Sequence, residues 1–182
     1  LRTVDAIAIA KGPGSFTGLR IGSATAKGLG QALNKPLIGI PTVDGLAYNL
    51  YGTDKVVCPL MDARRNQVYT GIYRCKCGNV TQVMEQSAIM IDELLQKLDE
   101  IGEEVIFLGD GVPVFKEVID NTLSVHHSYA SAQMNRQKAG SVAVCGKVLY
   151  DMGKFEDAKE HAPNYLRQSQ AERELAMKNG EK

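Results

Sequence analysis

Residues 7–30 read IAIAKGPGSFTGLRIGSATAKGLG and hold six glycines and one proline. Before the glycines, "VDAIAIA" alternates in polarity and runs into Gly12-Pro13-Gly14, which reads as a buried strand over residues 4–10 ending in a loop. After them, residues 17–33 form a helix that Ser15 or Thr17 can cap. Asn34 suits the left-handed position beyond its end, and Pro36 stops it. A glycine-rich turn leading into a helix has two physical uses. The unpaired N–H groups of the first turn can hold an anion, or the absent side chains can let another backbone come very close.

Neither named phosphate motif fits. A P-loop needs G-x-x-x-x-G-K-[ST], and here Leu19 follows Gly18. The dinucleotide fingerprint G-x-G-x-x-G needs its third glycine one residue earlier than Gly18. A generic anion or nucleotide site at Gly12, Gly14, Ser15 and Thr17 stays open beside the packing use.

At 100° per residue, Arg20, Ser23, Lys27 and Gln31 share a narrow polar face. Gly18, Gly22, Ala26, Leu29 and Leu33 lie on one flank, and Ile21, Thr25, Gly28 and Ala32 on the other. The non-polar arc is roughly 200°, about double what a helix resting on one core requires. The helix is therefore expected to be covered from two directions. Interior glycines each cost about 1 kcal/mol relative to alanine, so a compensating close contact is expected. Its source is the protein's own sheet, a helix missing from the start of the chain, or another subunit.

The rest of the chain alternates strands and helices, which gives an α/β fold. "PLIGI" is a strand and "TVDGLAYNLY" a helix. "KVVCPLMDA" and "QVYTGIYRC" are strands around the turn Arg64-Arg65-Asn66, with a third strand over residues 80–84. "MIDELLQKLDEIG" is an amphipathic helix, "EVIFLGDG" a strand, "VPVFKEVID" a short helix and "LSVHH" a strand. A long helix is expected over residues 131–153, and residues 161–182 read as a polar tail that either hangs free or wraps back. Residues 1–54 and 55–182 read as two units.

The chemistry-bearing residues are sparse. His126 and His127 are adjacent on an expected strand and face opposite ways, so they cannot share a metal. Cys75-Lys-Cys77 has no partner pair for zinc, and four cysteines in 182 residues form no disulfide scaffold, which fits a reduced, cytosolic chain. Asp62 and Asp110 both end strands, and Asp62-Ala63-Arg64-Arg65 holds either an anion or solvated turn charges. Lys plus Arg and Asp plus Glu number 21 each, so bulk charge points to neither nucleic acid nor membrane.

"GPGSFTGLRIGSATAKGL", followed by "PLIGIPTVDGLA", "PLMDARRNQVYTGIY", "FLGDGV" and "PNYLRQSQAERE", resembles the TsaB (YeaZ) family over residues 4–174. The resemblance implies a two-lobed actin-like, Hsp70-like ATPase superfold with ribonuclease-H-like halves. It also implies further strands and a helix ahead of Leu1, so the first lobe is expected to be incomplete in this chain. The implied role is a non-catalytic scaffold in making the threonylcarbamoyl modification of the adenosine next to the tRNA anticodon. The implied partners are the paralogue TsaD, the ATPase TsaE or a second copy, with tRNA reached only through the complex. The expected interface is Gly18, Arg20, Gly22, Ala26, Leu29 and Leu33, with Lys27 at its polar edge. No cofactor is required by the chain itself, and a nucleotide belongs at the partner interface. TsaD-like chains carry a metal motif H-x-E-G-H, and its two histidine positions here hold Thr42 and Leu46. Leucine has no ligand atom, which argues against metal catalysis. The other class of function is a metal- or nucleotide-dependent hydrolase of the same superfold, such as a glycopeptidase or an ATPase.

Overall fold

The computed structural model describes residues 3–76 and 79–166. Strand β1 (Ile7–Gly12) pairs in parallel with β2 (Leu37–Pro41), and helix α1 (Phe16–Leu33) connects them. Alternation along the strands sorts side chains to two faces. Ile7, Ile9 and Leu37 lie under Ala26 of α1, while Ala6, Ala8, Ile38 and Ile40 face helix α5 (Ala139–Asp151) through Cys145 and Leu149.

Helix α2 (Thr42–Ala47) then leads into a five-stranded mixed sheet. Its strands are β3 (Val56–Asp62), β4 (Gln67–Lys76), β5 (Asn79–Met90), β6 (Val105–Leu108) and β7 (His127–Tyr129), in the order β5-β4-β3-β6-β7. β3, β6 and β7 run parallel, and β4 and β5 antiparallel. One face packs on α3 (Ile91–Ile101) and α4 (Val112–Thr122) through Leu94, Leu98, Phe115 and Ile119. The other face meets α2, where Val43, Leu46 and Ala47 touch Val57, Met61 and Tyr73. Helix α2 thus lies against both sheets, and α5 brings the chain back onto the first one.

Several expected boundaries move, each for a local reason. The helix expected over residues 131–153 is a 3₁₀ turn, Ala132–Met134, followed by α5. The Asn49 amide donates to the carbonyls of Met134 and Arg136 at 2.7 and 2.8 Å, and Ser141 Oγ donates to Asn49 Oδ1 at 2.6 Å. Those carbonyls are therefore taken by a side chain instead of by the next helical turn. The strand expected at "LSVHH" starts only at His127, because the N–H groups of Ser124 and Val125 donate to Asp99 Oδ1. β5 is longer than expected because it follows β4 from Lys76↔Asn79 to Gln67↔Met90. α2 is shorter than expected and passes into a 3₁₀ turn, Tyr48–Leu50. The polar tail is a packed segment as far as it is described: residues 154–165 return to β2 and α1, and His161 is 1% exposed. The remaining tail, from residue 167, lies outside the described residues.

The glycines of α1 divide by what surrounds them. A Cβ on Gly30 would sit 2.8 Å from Ala158 Cβ and 3.0 Å from the Lys35 carbonyl, whereas one on Gly28 would meet nothing within 4 Å. Gly30→Ala is expected to destabilise the monomer by about 1–3 kcal/mol through overpacking. Gly28→Ala is expected to stabilise it by about 0.5–1 kcal/mol through helix propensity. Urea unfolding of the two variants checks the opposite signs.

Candidate functional site

The glycine loop forms where β1 ends. Gly12 has a φ of 118°, and a Cβ there would collide with the Asn164 carbonyl. That position admits only glycine, for both backbone and steric reasons. Ser15 caps α1, its Oγ accepting from the Gly18 N–H at 3.3 Å. Gly14, Ser15 and Thr17 are exposed at the positive end of the helix, while Gly12 is buried. Asn34 takes the left-handed position after the helix, with a φ of 51°. The Arg20 guanidinium lies 3.9 Å over the Phe16 ring, which in turn stacks on Tyr165 at 4.7 Å.

The two flanks of α1 meet different environments. Gly22 points at Ile9, Ala26 is 4% exposed, and Leu33 is half-buried. Gly18, Arg20 and Leu29 face outward, so the structure does not gather the six expected interface residues on one open surface. The outward face is instead Gly18, Ile21, Ala24, Thr25, Gly28, Leu29 and Ala32, with Arg20 at its rim. Ile21 is 63% exposed and Leu29 43%. The expected polar face is also divided. Arg20 and Gln31 are exposed, Ser23 is buried, and Lys27 Nζ donates to the carbonyls of Lys159 and His161 at 2.8 and 3.0 Å. Period analysis finds both apolar flanks of the helix. Only the position of the sheet decides which of them is free, and that is why Ile21 and Gly28 escaped the sequence reading.

A cleft of about 670 Å³ lies between the two sheets. It opens where β1 and β2 end, at Lys11, Gly39 and Pro41, and it is closed by Asp44 of α2, Gln82 and Glu85 of β5, and Glu156. Asp44 is bound on both oxygens: Tyr73 Oη donates to Oδ1 at 2.6 Å and the Gln82 amide to Oδ2 at 3.0 Å. Burial pushes its carboxyl above the usual range, and those two hydrogen bonds pull it partly back. Burial also pushes Tyr73 up. Gly71 leaves the room this ring occupies, since a Cβ there would sit 2.5 Å from Tyr73 Oη. The triad ties α2 to β4 and β5 and gives each oxygen of Asp44 one donor.

At the positions matching the metal motif, Leu46 is fully buried among Val43, Val57 and Met61, and Thr42 is 6% exposed. His126 is exposed beside Glu104 at 3.0 Å, and His127 turns inward to Asp120 at 3.2 Å. Burial pushes the Cys58 and Cys145 thiols up to about 12, which keeps them protonated and poor nucleophiles. Asp62 accepts from the Arg64 N–H at 2.7 Å and pairs with its exposed guanidinium at 3.1 Å. Cys77 lies outside the described residues.

Comparison with known proteins places this geometry. A family model described as TsaD, tRNA N6-adenosine threonylcarbamoyltransferase, matches residues 1–175. A tRNA threonylcarbamoyladenosine biosynthesis protein TsaB from Bacillus subtilis (strain 168) is 36% identical over 168 residues, which span 91% of this chain and 71% of that protein. The Escherichia coli (strain K12) protein of the same name is 30% identical over 115 residues, 61% of this chain and 49% of its own length. Among solved structures, a Pseudomonas aeruginosa protein described as similar to peptidase YeaZ superposes with a TM-score of 0.76 at 25% identity, covering 91% of this chain and 75% of that one. YeaZ from Pseudomonas aeruginosa gives 0.73 at 24% identity, covering 91% of this chain and 76% of that one, which shows a shared fold.

The Asp44 triad yields a test with a definite sign. Tyr73→Phe removes one of the two donors that hold down the Asp44 carboxyl, so its folded-state value rises further above the unfolded one. A group raised on folding costs stability as pH climbs through its folded value. The variant is therefore expected to lose about 1–3 kcal/mol at pH 7 and less at pH 4.5. Urea unfolding at the two pH values measures both the loss and its direction.

Proposed function

The chain belongs to the TsaB (YeaZ) family of tRNA threonylcarbamoyladenosine biosynthesis proteins, and from that premise we propose that it acts as a non-catalytic scaffold subunit. It dimerises with a TsaD-type paralogue, which performs the threonylcarbamoyl transfer to tRNA, while a TsaE-type ATPase joins the assembly. The two sheets are, in this reading, the two lobes of an actin-like superfold, and the chain works in the cytoplasm. A nucleotide belongs to the assembled complex, and tRNA is reached through the partner.

The observation that carries this reading is the outward face of α1. It is uncharged, it exposes Ile21 and Leu29, and Gly28 leaves an empty notch in it. Among the described residues, nothing lies against Gly28 to offset its helix-propensity cost. A helix from a partner could approach closely there, with Arg20 and its aromatic stack at the rim. A passive role is supported by Leu46, a core side chain without a ligand atom where TsaD-like chains carry a histidine, and by Asp44, whose two oxygens are taken.

Light scattering after size exclusion, on the chain mixed with its TsaD-type paralogue, is expected to show a one-to-one complex. Ile21→Glu and Gly28→Leu should each cost at least about 2 kcal/mol of binding without destabilising the monomer. Gly22→Leu is a poor probe, because its side chain would press on Ile9 of β1. Wild-type binding by both outward variants would remove α1 from the interface.

A further inference from the structure

Residues 156–165 run antiparallel along one flank of α1, and five contacts mark their path. Glu156 exchanges backbone hydrogen bonds with Leu37 at 2.9 Å each way, which closes the edge of β2. Ala158 fills the space beside Gly30. Lys27, midway along the helix, holds the carbonyls of residues 159 and 161. Farther on, the Asn164 N–H donates to the Lys11 carbonyl, and Tyr165 stacks on Phe16. Only Ala158 and His161 are buried side chains in this stretch. His161 pairs through Nδ1 with Glu156 at 2.6 Å, and its buried Nε2 has no partner among the described residues.

Such a segment sits at the low end of local stability. Polar contacts hold it, most of its side chains face water, and one buried polar atom goes unpaid for its lost hydration. Yet it supports the inner side of the helix whose outer side faces solvent. Any shift or tilt of α1 would strain the Lys27 bonds and the close contact at Gly30. We infer that residues 156–165 are a detachable strap whose attachment to α1 is thermodynamically linked to partner docking on the opposite side of that helix, with Lys27 as the positioning residue. The inference rests on the docking reading above. Linkage is reciprocal: if the fastened strap favours docking, docking must fasten the strap by the same factor.

The test uses the full chain and its TsaD-type paralogue, with calorimetry for affinity and hydrogen exchange for the strap. The amides of Leu37, Glu156 and Asn164 report fastening, because each is a donor in a strap contact. Partner binding is expected to slow their exchange, although none lies on the outward face. Lys27→Met should accelerate their exchange and weaken partner binding by about 5- to 20-fold, and Lys27→Arg should restore most of both. Gly30→Ala, which presses most closely on Ala158 and also on the Lys35 carbonyl and Leu37, is a second variant and should act in the same direction. Faster strap exchange with unchanged affinity, or strap exchange indifferent to the partner, would overturn the linkage. Failure of the docking reading would look different: Ile21→Glu would then bind as tightly as wild type.

Discussion

The short helix α2 is the piece on which the two sheets depend. Its Val43 and Leu46 are fully buried, and with Ala47 they form one cluster with Val57, Met61 and Tyr73 of the larger sheet. The same helix touches β1, β2 and α5 on its other side. Three of its six residues thus supply apolar contact between the layers, and Asp44 adds a directional one through Tyr73 and Gln82. The apolar contacts are non-directional and set the distance between layers. The Asp44 hydrogen bonds fix orientation, at the cost of burying a carboxyl whose ionisation burial opposes. The cleft is what remains between the sheets beside this pivot, at the carboxyl ends of two parallel strands.

The glycine loop and α1 belong to a different economy, that of close approach. Gly12 and Gly30 are small because a returning backbone and Ala158 lie against them. Gly28 is small with nothing beside it. Within α1, Gly30 is thus explained by its packing on Ala158, while Gly28 meets nothing among the described residues. The helix is packed on one side by the sheet and residues 156–165 and presents an uncharged face on the other, the face that the proposed docking would use.

Much of this was legible in the linear sequence. The α/β order, the cap at Ser15, the left-handed Asn34 and the doubly apolar arc of α1 all follow from local chemistry, in which a residue's neighbours lie within a few positions. The boundaries that moved did so through partners far along the chain. Asn49 captures the carbonyls of residues 134 and 136, and Asp99 holds the amides of residues 124 and 125. No local pattern announces such a bond, since Asn and Asp serve equally well in turns and caps. Whether the tail hangs or wraps stayed open in the sequence for the same reason: the carbonyls of residues 159 and 161 are held by Lys27, and composition carries no trace of such anchors.

By itself, then, the sequence determined that α1 carries an apolar arc wider than one core needs, and that Thr42 and Leu46 stand where the family resemblance puts the metal-motif histidines. Residue type and a fixed 100° step suffice for the first, and the second needs the family's motif as well. The tertiary structure alone decided which side of α1 is already covered. Gly22 and Ala26 face the protein's own sheet, Ile21 and Gly28 face out, and Lys27 is drawn to the strap instead of to water. That choice depends on where β1, β2 and residues 156–165 come to rest, a matter of long-range packing that no window of the sequence contains.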